Sequence, residues 1–185
     1  NGSGSYVQND YTNAMRIDTS GNIYVTGIAE NNSFSYALTL KIDPAGNLQW
    51  SQRHLTAESS GNDIAVDGSG NVLVCGMRKV SGNKDFLLIK YNAQGTQQWI
   101  QNYSNGNHDE ALSLDLDNSN NIYVTGRQSG VNPFYDWATL QYDAGGNQHR
   151  LVDGAGQRTL GHGQARTGQP GLALHRHVQA APGGL

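Results

Sequence analysis

The densest run of side chains able to move protons is His108-Asp109-Glu110. A carboxylate beside an imidazole can do acid–base work; on a solvated loop the same trio is a surface site for a partner. Asp115-Leu-Asp-Asn-Ser119 matches the opening of a calcium loop, without the Gly at its sixth position or the Glu at its twelfth. Cys75 is the only cysteine. It has no spaced His partner to activate it and reads as a small buried side chain. His162, His175 and His177 have metal-ligand character but no Cys or carboxylate beside them. No cofactor, metal centre or catalytic residue is expected from these patterns.

What must position such residues is a tandem repeat. Asp18-Thr-Ser-Gly-Asn-Ile-Tyr-Val-Thr-Gly27, Asp67-Gly-Ser-Gly-Asn-Val-Leu-Val-Cys-Gly76 and Asp117-Asn-Ser-Asn-Asn-Ile-Tyr-Val-Thr-Gly126 align without gaps, 49 and then 50 residues apart (67 − 18 and 117 − 67). A second block keeps the same period: Thr39-Leu-Lys-Ile-Asp-Pro-Ala-Gly-Asn-Leu-Gln-Trp50, then Leu88-Ile-Lys-Tyr-Asn-Ala-Gln-Gly-Thr-Gln-Gln-Trp99, then a third copy from Thr139 that breaks after Gln148. Arg16 and Ala65 stand where Asp115 stands, which favours a structural turn over a calcium site. Lys41 and Lys90 become Gln141, and Cys75 stands in for Thr26 and Thr125, so these positions read as structural. The period likewise assigns Trp50 and Trp99 to packing rather than to sugar stacking.

Each copy holds four short β-branched and aromatic runs, bounded by Gly and Asn and too short for helices. The turn positions are Asp18, Gly21, Asn22, Asp67, Gly70, Asn71, Asp117, Asn120 and Asn121. Asp bonds the backbone ahead of it, and Gly or Asn accepts positive φ. Ile23-Tyr-Val-Thr26 is large or β-branched on both faces, which predicts a strand buried on both sides. Stacked four-stranded units of a β-propeller supply that environment. The predicted fold class is all-β: a partial β-propeller of about three four-stranded antiparallel blades with an irregular C-terminal tail.

The two blocks together resemble the bacterial SBBP ("seven-bladed beta-propeller") repeat, over roughly residues 10–150. The resemblance implies a propeller in a large secreted or cell-surface bacterial protein, and no defined reaction. Asp43-Pro-Ala-Gly-Asn-Leu-Gln-Trp50 is also similar to the Asp box of sialidase-type propellers, with each spacing one residue too long. By analogy with other propellers, residues 1–10 end a preceding blade, and blades span 11–54, 61–103 and 109–152, the last incomplete. Residues 153–185 form an irregular tail. From His149 onward there is no Asn, Ser, Lys, Ile, Tyr, Phe or Trp. That abrupt change reads as translation out of frame, with a disordered linker as the alternative.

A net charge of −3 and the lack of a basic patch argue against nucleic acid. No apolar run reaches the roughly 18 residues that span a bilayer. Taken together, these readings predict a non-catalytic scaffold, extracellular or at the cell surface, with its export signal outside the sequence. Its expected partners are neighbouring blades and a surface protein or glycan. The competing expectation is part of a polysaccharide-active enzyme, a glycosidase or lyase, whose active site lies elsewhere. Three copies fall short of a closed ring, so the isolated chain is expected to aggregate or to self-associate through its end blades.

Overall fold

The computed structural model describes residues 9–31, 33–106, 108–129, 135–154 and 156–159. The chain is all-β over these residues, in three antiparallel sheets that each follow chain order. The first holds β1 (Asp10–Ile17), β2 (Ile23–Glu30), β3 (Ser35–Ile42) and β4 (Leu48–Arg53). The second holds β5 (Ser59–Val66), β6 (Val72–Val80), β7 (Asn83–Tyr91) and β8 (Gln97–Tyr103). The third holds β9 (Glu110–Leu116), β10 (Ile122–Ser129), β11 (Tyr135–Tyr142), β12 (Gln148–Asp153) and β13 (Gly156–Thr159).

The third sheet corrects one expectation. It has five strands rather than four, and β12 and β13 are built from residues assigned to the broken copy and the tail. A ladder needs only backbone N–H and C=O groups, so the open edge of β12 pairs with a chain that has no strand-like composition. At the other end, Asp10 opens β1, pairing with Ala29, and does not close an earlier unit. Ser59, ahead of the expected start at 61, opens β5. Residues 1–8 and 160–185, with the histidines at 162, 175 and 177, lie outside the described residues.

Stacking of the sheets makes the core. β5 packs on β1, β2 and β3, and β9 packs on β5, β6 and β7. Val72, Val74, Leu87, Ile89 and Tyr91 of the second sheet meet Tyr24, Ala37 and Trp50 of the first. The alternate residues Leu73, Cys75, Phe86 and Leu88 meet Ala111, Leu114, Ile122, Val124, Leu140 and Tyr142 of the third. The second sheet is therefore buried on both faces. β10 instead alternates buried with exposed, because among the described residues no sheet packs on the other face of the third sheet. At about 25 cal/mol per Å² of apolar area, these two interfaces are the main favourable term.

Two bulges recur in every sheet. Asn13, Asn62 and Leu112 are the extra residues opposite Gly27/Thr26, Gly76/Cys75 and Gly126/Thr125. Each bulge pushes the backbone toward the facing strand. A Cβ on Gly27, Gly76 or Gly126 would run into the carbonyl oxygen of Tyr11, Ser60 or Glu110, which explains why the motif ends in Gly. The bulged Asn then reaches across: Asn13 Nδ2 donates to the Gly61 carbonyl (2.8 Å) and Asn62 Nδ2 to the Ala111 carbonyl (2.8 Å). A second bulge lies opposite Lys41/Ile42, Lys90/Tyr91 and Gln141/Tyr142, with Gln49, Gln98 and His149 as the extra residues.

The turns share one hydrogen-bonded clip. Asp18 Oδ1 accepts from the backbone N–H groups of Ser20 and Asn22 (2.9 Å each), and Oδ2 accepts from Asn22 Nδ2 (2.8 Å). Asp67 and Asp117 repeat this with Asn71 and Asn121. The position just before the bonded Asn has positive φ: 81° at Gly21, 78° at Gly70 and 60° at Asn120. Asp43 and Asp143 make the same clip with Asn47 and Asn147 between the third and fourth strands. In the second sheet that clip changes at both ends together: Asn92 replaces Asp and Thr96 replaces Asn. The reason is donor–acceptor parity. A carboxylate can accept from the Asn amide, whereas a second amide would present N–H to N–H.

Two predictions follow from the clips. Asp43→Asn lowers the melting temperature, and adding Asn47→Thr, the natural pair at 92 and 96, restores most of it. Thermal denaturation of the four variants in that cycle checks this; a rescue no larger than the effect of Asn47→Thr alone contradicts it. The amide of the partner Asn holds Asp18, Asp117 and Asp143 below the ordinary carboxylate range, Asp143 at about 2. At Asp43 the Asn47 backbone N–H is the largest cause. A carboxyl with a depressed folded pKa stabilises above its unfolded value and loses that contribution as pH falls through its folded value. Stability should therefore fall between about pH 4 and pH 2, read as the urea midpoint against pH; a flat midpoint across that window would argue against the clips.

Candidate functional site

Antiparallel order puts the Asp clips at one end of all three sheets. The second-to-third strand hairpins and the links between sheets lie at the other end. The clip end is nearly invariant. The opposite end is where the copies differ: Asn9, Glu58 and His108 share one place, as do Tyr11, Ser60 and Glu110, then Ile28, Met77 and Arg127, then Ser35, Lys84 and Tyr135.

The third member of each of these sets, together with Lys84 from the second copy, lines a cleft of about 230 Å³, formed by Lys84, His108, Glu110, Arg127 and Tyr135. Lys84 is the second residue of β7, Glu110 opens β9, Arg127 lies near the end of β10 and Tyr135 opens β11. A parallel bridge between Lys84 and His108 ties the link to the second sheet, with the Asp109 N–H donating to the Lys84 carbonyl (2.7 Å). Glu110 Oε2 accepts from Arg127 Nη2 (2.6 Å) and Nε (3.2 Å), and Lys84 Nζ lies 4.0 Å away. Its Oε1 accepts from Asn62 Nδ2 (3.1 Å). The Arg127 guanidinium also lies over the Tyr135 ring, 5.0 Å from its centroid. The Glu110 bond raises the pKa of Arg127.

Exposure decides the sign this cleft shows to solvent. The Arg127 and Lys84 side chains are 46% and 37% exposed, against 14% for Glu110. The carboxylate is spent inside the wall, and the cations and His108 face outward.

Of the three residues picked out in sequence, the structure places His108 and Glu110 in the cleft wall and Asp109 behind it. Asp109 is wholly buried. Its Oδ1 accepts from Ser129 N–H (2.8 Å) and its Oδ2 from Asn105 N–H (2.6 Å). It fixes the link and does not present itself to a ligand. Lys84, Arg127 and Tyr135 carried no local motif. Their only signal was departure from the repeat: a cation where Ile28 and Met77 stand, and an aromatic where Ser35 stands.

The clip end has a broader groove of about 520 Å³ across the first strands, lined by Arg16, Asp18, Asp67 and Asp115 among others. Arg16 Nη2 pairs with Asp63 Oδ1 (3.1 Å), and Asp63 Oδ2 accepts from Ser113 Oγ (2.8 Å) and Leu114 N–H (3.0 Å). Asp63 thus links all three sheets near their first strands. The calcium-like run is spoken for: Asp117 accepts from Ser119, Asn121 and Tyr123. Among the described residues no three His, Cys, Asp or Glu side chains are placed to hold a metal ion. Cys75 is fully buried, and burial pushes its thiol pKa far up, away from the range of a nucleophile.

Removing the Asp109 carboxylate takes the acceptor from the part-buried N–H groups of Asn105 and Ser129, each a hydrogen bond to a charged group worth about 1.5–3 kcal/mol before water replaces part of it. Asp109→Ala should therefore cost about 2–4 kcal/mol, measured by chemical denaturation; a loss under about 0.5 kcal/mol, the scale of a neutral surface change, would show that the link is held by other means. Among the described residues no helix is long and apolar enough to cross a membrane. No family model matches the chain, and no curated protein matches it.

Proposed function

We propose that the chain is a non-catalytic interaction scaffold, a run of successive β-propeller blades that captures an acidic group of a glycan or protein in the cleft at its variable end. One observation carries this reading. The residues that break the repeat gather in one place, around Lys84, His108, Arg127 and Tyr135, with the cations more exposed than the carboxylate. Glu110 holds Nε and Nη2 of Arg127, so the exposed charge of Arg127 and the Lys84 ammonium would draw in the acidic group, and Tyr135, 54% exposed, offers a ring for a sugar or aliphatic stem.

The propeller reading is supported by the stacking of β5 and β9, each on the sheet before it; β1, β5 and β9 would then be innermost and the Trp-bearing strands β4 and β8 outermost. The motif resemblance to SBBP repeats, quoted above, carries the proposal that the protein belongs outside a bacterial cell or on its surface.

The test is binding of the chain to an array of carboxylated and neutral glycans, with Arg127→Ala and Tyr135→Ala as controls. Binding confined to carboxylated members, and lost in both variants, is expected. Binding that ignores the carboxylate, or survives both variants, would contradict the assignment of the cleft.

A further inference from the structure

We propose that the outer face of the first sheet is a receptor for one more sheet of this same repeat, one carrying an indole where Trp50 and Trp99 stand. The chain contains the template for that contact twice. Trp50 of the first sheet lies on the third-to-fourth strand turn of the second: its Nε1 donates to the Ala93 carbonyl (3.1 Å), and a Cβ on Gly95 would fall 2.6 Å from the indole. Trp99 of the second sheet lies in the same way on the third, where a Cβ on Gly146 would fall 3.0 Å from its ring. Gly46 is the matching residue of the first sheet, at φ 87° against 80° and 86° for the other two. Among the described residues nothing lies within 4 Å of where its Cβ would be. The seat is built, and no indole among the described residues fills it.

The floor beside the seat matches as well. Met15 is 50% exposed, while its counterparts Ile64 and Leu114 are 0% and 4% exposed. Ile17 is 60% exposed, where Val66 and Leu116 pack against the core. Ile23, Val25, Leu40 and Ile42 hold the places of Val72, Val74, Ile89 and Tyr91, and of Ile122, Val124, Leu140 and Tyr142, all of which are core. Leu48, beside Ile42 in the ladder, is 59% exposed. The apolar residues are kept at every position that the next sheet uses for burial, which is a composition suited to cover and not to water.

The occupant must offer what the first and second sheets offer their successors: a Trp for the Gly turn, and a bulged Asn for a backbone carbonyl of β1. The third sheet offers neither. Arg150 stands opposite Gln141, where Trp50 and Trp99 stand opposite Lys41 and Lys90, and Leu112 occupies the bulge of Asn13 and Asn62. A second copy of this chain is therefore a poor match, and the partner is a Trp-bearing repeat unit that this chain does not provide. The inference rests on an interface present twice in the chain, and holds for an open stack as for a ring, so it stands or falls apart from the cleft.

The experiment fuses a second copy of residues 59–103 ahead of Asn1 of the full chain, so that residues 1–9 serve as the connection. The expected result is a single cooperative melt raised by about 5 °C or more, on a scale where 1 kcal/mol moves a chain of this size by about 2–4 °C. Backbone amides of β1 and β2 should gain hydrogen-exchange protection. Trp99→Ala made only in the added copy, or Met15→Asp with Ile17→Asp in the host, should remove most of that gain. An added copy that melts separately, or that works equally well without its indole, overturns the proposal. The second arm needs no fusion: Leu112→Asn with Arg150→Trp gives the third sheet the missing donors and should make the chain associate head to tail, measured by light scattering and reversed by Met15→Asp with Ile17→Asp. A double variant that stays monomeric, or an unaltered chain that already associates through Met15 and Ile17, contradicts the requirement for the indole.

Discussion

The second sheet has no solvent face, and the rest of the structure depends on that. Its central strands β6 and β7 put apolar residues on both sides, with Val72, Val74 and Ile89 toward one neighbour and Leu73, Cys75 and Leu88 toward the other. A strand of this kind is unstable as half of a two-layer sandwich, since one set of side chains would meet water. A sheet on each side satisfies both sets. Lateral contacts then need only close the backbone groups that stacking approaches, which the bulged Asn13 and Asn62 do by bonding a carbonyl of the next first strand.

Close stacking in turn dictates small residues at fixed points. Gly27, Gly76 and Gly126 let the bulged first strand come in against the second, and Gly95 and Gly146 let an indole lie flat on a turn. The Asp clips are independent of stacking. They draw on residues within five positions of each other, so each hairpin carries its own register determinant. This division explains why the clip end repeats almost without change while the opposite end is free to vary. The hairpins and links there are constrained only by the strands they join, and it is there that Lys84, His108, Arg127 and Tyr135 converge.

The legibility of the sequence follows the same division. Local chemistry was readable: Asp18 with Gly21 and Asn22, and their counterparts at 67 and 117, announce the turn because every partner lies within a few residues. The all-β class was readable from the period. The terminal Gly of each motif was visible, but its reason was not, since Tyr11, Ser60 and Glu110 approach it only through a bulge set by pairing. The fifth strand of the third sheet was missed because it depends on an open edge and not on composition. In the cleft, His108 and Glu110 were legible as a dense charged run. Asp109 between them was not separable from them, because its complete burial is decided by Ser129 and Asn105 across the link. Arg127 and Tyr135 come from different strands, and only comparison of the copies singles them out.

The measurement that bears most directly on this account is residue-resolved hydrogen exchange on the intact chain. Two-sided burial predicts the slowest amides in β6 and β7, with those of β2 and β10 exchanging faster although they hold the same places in their own sheets. Equal protection of the three sheets, or faster exchange in the second than in the first and third, would contradict the claim that the stack is built around a sheet with no solvent face.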